Sequence, residues 1–123
     1  MTKVIRFTKK TRILHRKAIS KLRKNGPICG NLILYLGLFF NDELVSGLWL
    51  SDNGDVSYKT YRQYYNRGYV SRLVKRLIKD VDCGIIKKVR AVAINDTSEH
   101  VLKKCGFWLS SDRFSFIYKN RKK

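Results

Sequence analysis

Apolar and polar positions alternate between two periods along the chain, and each switch marks a new element. Val4-Ile5-Arg6-Phe7 reads as a short strand. From Lys10 to Asn25 the apolar residues Ile13, Leu14, Ala18, Ile19 and Leu22 recur at near-helical spacing. That predicts one amphipathic helix with a basic outer face, ended by Asn25-Gly26-Pro27. Leu32 to Phe40 is almost wholly apolar and reads as a buried strand. A turn at Asn41-Asp42-Glu43 leads into a second strand, Leu44 to Leu50, as an antiparallel hairpin. Ser51-Asp52-Asn53-Gly54-Asp55 is a second turn, and Val56 to Tyr61 a third strand. Val70, Leu73, Val74, Leu77, Ile78 and Val81 then stand at i, i+3, i+4, i+7, i+8 and i+11, the clearest helix of the chain. Asp82-Cys83-Gly84 stops it. Val89 to Ile94 is a strand, Asn95 to Ser98 supplies capping residues, and Glu99 to Cys105 is a short helix closed by Gly106. Phe107-Trp108-Leu109 and Arg113 to Tyr118 complete a final strand or hairpin. The order predicts an α/β domain: a single mixed sheet with helices packed on it. Trp49 and Trp108 are expected in its core.

At 123 residues and 44% hydrophobic content the chain suits one folded domain, residues 1–123, with a basic tail at 119–123. Charge changes the picture most. There are 27 Lys and Arg against 9 Asp and Glu, a formal +18 spread along the whole length. Such a surface attracts polyanions, and nucleic acid or a nucleic-acid-bound substrate is the expected partner. The competing reading is a solvated cationic surface with no addressee. The 3 cysteines, Cys29, Cys83 and Cys105, form no Cys-x-x-Cys pair. Their odd number argues against a disulfide framework and for a reducing cytoplasm. His15 and His100 are far apart, so no metal site is expected. MTKVIRFTKK is too polar for a secretion signal. No apolar run approaches the roughly 20 residues that span a bilayer, so no membrane association is expected.

The stretch Tyr64–Lys79, YYNRGYVSRLVKRLIK, carries the candidate chemistry. A helix start leaves backbone N–H groups unpaired and partly positive, and a glycine there lets an anion come close. Asn66, Arg67, Gly68, Tyr69, Val70 and Ser71 together offer amides, a guanidinium and a hydroxyl suited to a pyrophosphate. The same glycine also reads as an ordinary turn.

From Leu36 to Tyr118 the chain resembles, in order, the GNAT superfamily of acyl-coenzyme A-dependent N-acyltransferases. NRGYVSRLVKRLIK looks like that family's pyrophosphate loop and following helix, written R/Q-x-x-G-x-G/A. VRAVAIND looks like its next strand. Asn95, Ser98 and Cys105-Gly106-Phe107 look like its N-x-x-S/A…GF ending. Three positions depart from the pattern. Tyr65 takes the R/Q place and Val70 the G/A place. Leu102 takes the place of a tyrosine that protonates the leaving thiolate in many members. A single helix is expected between the first two strands, where the family commonly has two, which would leave the acceptor site open to a large substrate.

The resemblance implies a mostly antiparallel sheet, acetyl-CoA as acyl donor, and attack of an amine on its thioester. It implies that the strands at 56–62 and 89–95 splay apart around the pantetheine arm. Backbone amides near Tyr61 to Gln63 would polarise the thioester carbonyl, and Asn95 and Ser98 would bond the arm. An alkyl ammonium, with pKa about 10.4, must lose a proton before it attacks. Asp55 and Glu99 are candidate bases; Tyr58, Tyr61 and His100 are candidates for acid or base duty, with Asn95 beside them. Cys105 reads as packing. Tyr58, Tyr61, Tyr64, Tyr65 and Tyr69 lie among Lys59, Arg62 and Arg67. They suit base stacking as well as ordinary strand packing.

Three functions stay open: N-acetylation of a nucleic-acid-associated or other large anionic substrate, DNA base modification, and binding without catalysis. The second follows from LYLGLFFNDELVSGLWL, which is similar to the hairpin of phage Mom proteins, modifiers of adenine in DNA.

Overall fold

The computed structural model describes residues 2–23, 32–65, 67–84, 86–92, 96–111 and 115–119. The elements are β1 (Thr2–Arg6), α1 (Lys9–Leu14), α2 (Arg16–Arg23), β2 (Leu32–Phe40), β3 (Glu43–Ser51) and β4 (Asp55–Thr60). After a 3-10 turn at Arg62–Tyr64 come α3 (Tyr69–Asp82), β5 (Lys88–Val92), α4 (Asp96–Lys104), β6 (Trp108–Leu109) and β7 (Ser115–Lys119). Asn25-Gly26-Pro27, Cys29 and the tail beyond Lys119 lie outside the described residues.

The strands form one sheet in the order β1-β2-β3-β4-β5-β7-β6. All neighbours are antiparallel except β4 and β5. The long hairpin of β2 and β3 dominates it, as their unbroken apolar runs foretell. Successive side chains point to opposite faces. Leu34, Leu36 and Leu38 of β2 join Leu48 and Leu50 of β3 in a core that also takes Leu73, Val74, Leu77 and Val81 of α3 and Leu102 of α4. Tyr35, Phe39, Leu44 and Trp49 face the other way and pack with Phe7, Ile19 and Leu22 under α2. Gly37 sits where Phe7 crosses the sheet. A Cβ there would stand 2.5 Å from the Phe7 ring and 2.9 Å from Leu44, so only glycine admits the crossing.

Two corrections to the expected elements follow. The single helix over Lys10–Asn25 is two short helices that meet at His15. The His15 backbone leaves the helical region (φ −106°, ψ 19°), and its N–H bonds back to Thr11 and Ile13. Ile13 and Leu14 fit the helical stripe, yet they are 71% and 74% exposed, so that stripe is not one continuous buried face. The premise of a shortened N-terminal half therefore falls. Trp49 is core, as expected, whereas Trp108 is only half-buried, set beside Tyr118 near the sheet edge.

Candidate functional site

β4 and β5 pair at only two positions, Asp55 with Arg90 and Val56 with Ala91, and then part. Parallel neighbours with so short a ladder leave main-chain groups of both strands unmatched beyond it. Parity shows which. The Tyr61 N–H donates to the Val45 carbonyl across the β3 side at 3.1 Å. With the register unbroken from Ser46↔Thr60 to Leu50↔Val56, the main chains of Ser57 and Lys59 turn the same way. Those of Tyr58 and Thr60 therefore face the split. The amides expected near Tyr61 to Gln63 shift accordingly: the Tyr61 N–H is already engaged.

A cavity of about 340 Å³ occupies the split, lined by Asp55, Val56, Ser57, Tyr58, Arg90, Val92 and Ser98. Asp55, Ser57, Arg90 and Val92 belong to the sheet face that α2 covers further along. Val56 and Tyr58 belong to the α3–α4 face. The gap thus reaches from one face to the other. At its α2-side mouth, Asp55 Oδ1 accepts from Arg90 Nε at 3.0 Å and Nη2 at 2.8 Å. Ser57, Arg90 and Val92 were not among the sequence candidates. Their signal was position alone: they stand on the two strands that flank the split.

On the α3–α4 side the Tyr58 hydroxyl is buried and makes no well-formed hydrogen bond to protein. Burial pushes its phenol up; the Ser98 side chain acts against this, and Cys105 adds to it. Burial likewise raises the Cys105 thiol, against the pull of Lys75 and Lys104. Cys105 packs against the core, as expected. Tyr61 is half-buried, its phenol raised by burial and by Glu43.

α3 starts at Gly68, whose φ of 77° lies in the left-handed region that favours glycine. A Cβ there would meet nothing within 4 Å, so the helix start opens onto free space. No side chain caps it, and its first turn holds no acidic residue. The amides of Tyr69, Val70 and Ser71 therefore have no partner within the helix. The Val70 side chain packs on the core and not over the helix start, so the branched residue keeps clear of those amides. The Arg67 guanidinium lies 5.0 Å above the Tyr64 ring and 5.9 Å from that of Phe40, which holds it beside the helix end.

The other sequence candidates disperse. Tyr69 is buried, and Tyr64 packs between Phe40 and Tyr69, whereas Tyr65 is exposed. Gln63 is exposed in the 3-10 turn and Ser71 half-buried on α3. His100 is exposed on α4 and does not line the cavity. Glu99 pairs with Lys103 at 3.3 Å. Asn66 and Asn95 lie outside the described residues. No cluster of His, Cys, Asp or Glu suited to a metal occurs among the described residues, and none of their helices is long and apolar enough to cross a membrane.

No protein-family model matches the chain, and no curated protein matches it by sequence. Solved structures do match. A GNAT-family acetyltransferase from Streptococcus pneumoniae superposes with a TM-score of 0.68 at 14% identity, over 98% of this chain and 99% of that one. The ribosomal-protein-S18-alanine N-acetyltransferase from Escherichia coli gives 0.64 at 11% identity, over 95% and 90%. A ribosomal L7/L12 alpha-N-protein acetyltransferase in complex with coenzyme A gives 0.61 at 15% identity, over 90% and 72%. The seven-stranded sheet, its split and its flanking helices are the fold of the GNAT acetyltransferases.

Proposed function

We propose that this protein is an acetyl-CoA-dependent N-acetyltransferase whose acceptor amine belongs to a large anionic, nucleic-acid-associated substrate. One observation carries the reading: β4 and β5 part after two pairs, beside a helix start with free amides and open space at Gly68. An extended amide-bearing arm fits between the strands and a diphosphate fits at the helix start. When bound, acetyl-CoA supplies an acyl group activated as a thioester.

The chain's own residues then divide the work. The amides of Tyr69, Val70 and Ser71, with Arg67, hold the diphosphate. The main-chain groups of Tyr58 and Thr60 pair with the arm as a strand would, and an N–H among them polarises the acyl carbonyl. Asp55, at the α2-side mouth and oriented by Arg90, takes up the proton shed by the amine, by way of water.

The charge supports the acceptor class. Arg16, Lys17 and Lys21 of α2 and Lys88 of β5 are exposed. Two of the structural neighbours, by their names, act on ribosomal proteins, which sit on RNA. A DNA base as acceptor, the Mom-like alternative, rests on the β2–β3 hairpin sequence alone.

Thermal shift and calorimetry with acetyl-CoA test the reading. At a hundredfold excess over Kd, binding adds about 2.7 kcal/mol to stability. Binding of nucleic acid with no response to millimolar acetyl-CoA would mark a binding module and overturn it. Mass spectrometry of RNA-associated proteins and of nucleosides, after incubation with labelled acetyl-CoA, then identifies the acceptor.

A further inference from the structure

On α4, Ser98, Leu102 and Cys105 stand at i, i+4 and i+7, one stripe of the helix. Tyr58 feels Ser98 at one end of the stripe and Cys105 at the other, so its ring lies across Leu102. Leu102 is fully buried there. It also occupies the position at which the GNAT pattern places a tyrosine. The phenol is not missing from this region: it arrives from the sheet instead of the helix. Its ring packs on the core while its hydroxyl, buried and without a well-formed hydrogen bond, borders the cavity. Buried hydroxyls are ordinarily paired. One that faces a cavity is placed to pair with whatever fills it.

We propose that Tyr58 Oη is the proton donor to the sulfur that leaves when a thioester in the split is cleaved, taking from β4 the place that Leu102 vacates on α4. The inference rests on the acetyl-CoA reading above. As the amine nitrogen bonds to the acyl carbon, the carbon–sulfur bond breaks and its electron pair goes to sulfur. The O–H bond of Tyr58 breaks and an S–H bond forms. The amine sheds one proton to Asp55 and water, and the phenolate regains one from solvent, so the protein ends as it began. Ser98 and Cys105 of α4 face the phenol, and Asp55 and Arg90 line the same cavity from the opposite sheet face. Burial keeps the phenol protonated at neutral pH, as a donor must be.

The test needs no acceptor. Coenzyme A enriched in carbon-13 beside its sulfur is titrated by NMR while bound to the wild type and to Tyr58→Phe. The variant removes one oxygen and keeps the ring, and its melting curve verifies the fold. Coenzyme A affinity is expected to change by less than about threefold. The bound thiol is expected to titrate about one to two units higher in the variant, because a hydrogen bond that stabilised the thiolate is gone. The same thiol titration in both proteins overturns the assignment of Tyr58 while leaving the acetyl-CoA reading intact. Failure of the wild type to bind coenzyme A overturns both.

Discussion

Gly68 and Gly84 bracket α3 and have nearly the same backbone, φ 77° and 81°, and a Cβ at either would meet nothing within 4 Å. Substitution by alanine therefore costs conformational energy alone, about 1–2 kcal/mol at each. Chemical denaturation should show equal losses for Gly68→Ala and Gly84→Ala. Calorimetry should show weaker acetyl-CoA binding for Gly68→Ala only, since that Cβ projects into the space a diphosphate would take. Equal affinity for both variants would reduce Gly68 to a turn residue. Tyr58 makes a second case. Its folded phenol pKa is raised by burial above the usual 10.0. A raised acid contributes stability that is complete below the unfolded value and is lost as pH rises through the folded one. Melting temperature should thus fall less for Tyr58→Phe than for the wild type above about pH 10. Parallel declines would mean that the phenol titrates as an exposed tyrosine does. Of these two residues only Gly68 was legible in the sequence as a singular position, because glycine ahead of a helical stripe is a local signal. The facing of Tyr58 depends on strand parity and on how α4 approaches, and neither is local.

The same contrast governs the elements. α3 was readable because its stripe is buried along its whole length, from Tyr69 to Val81. β2 and β3 were readable because both faces are covered, which makes their apolar runs nearly continuous. The break between α1 and α2 was not, since the spacing of Ile13 and Leu14 says nothing of their exposure. The split between β4 and β5 could enter only through a family resemblance. Those strands are separated in sequence by α3, and nothing in either reports where their pairing stops. Hydrogen exchange makes the split visible. Ser57 and Lys59 direct their amides to β3 and should be protected to a large fraction of the global stability. Tyr58 and Thr60 should exchange with little protection. Coenzyme A should protect Tyr58 and Thr60 and leave Ser57 and Lys59 unchanged. Protection of all four without ligand would mean that the strands close on one another in solution, and the cleft would be lost as a binding site.

Across the whole molecule, 27 basic side chains face only 9 acidic ones, and several of those acids are already taken. Asp80 pairs with Arg76, Asp55 with Arg90 and Glu99 with Lys103. The remaining field is strongly positive on every side, so attraction to polyanions is certain to include a component without address. The question is whether it has a direction. α2 packs against β3 and β4 on the face where Asp55, Ser57 and Arg90 open the cavity, whereas α3 lies on the other face. Arg16, Lys17 and Lys21 of α2 are exposed, as are Arg72, Lys75 and Lys79 of α3. A nucleic-acid duplex that is neutralised at about six phosphates should bind about a thousandfold more weakly at 200 mM salt than at 50 mM. If the acceptor is led to the α2-side mouth, exchanging the three α2 cations for glutamine should lower the logarithmic salt slope by about three, one per lost phosphate contact. The matched α3 triple should barely change it, although both variants lose the same net charge. Equal effects from the two helices would show that the charge draws polyanions to the molecule as a whole and not to the mouth of the split, and the acceptor would then have to be sought among small amines.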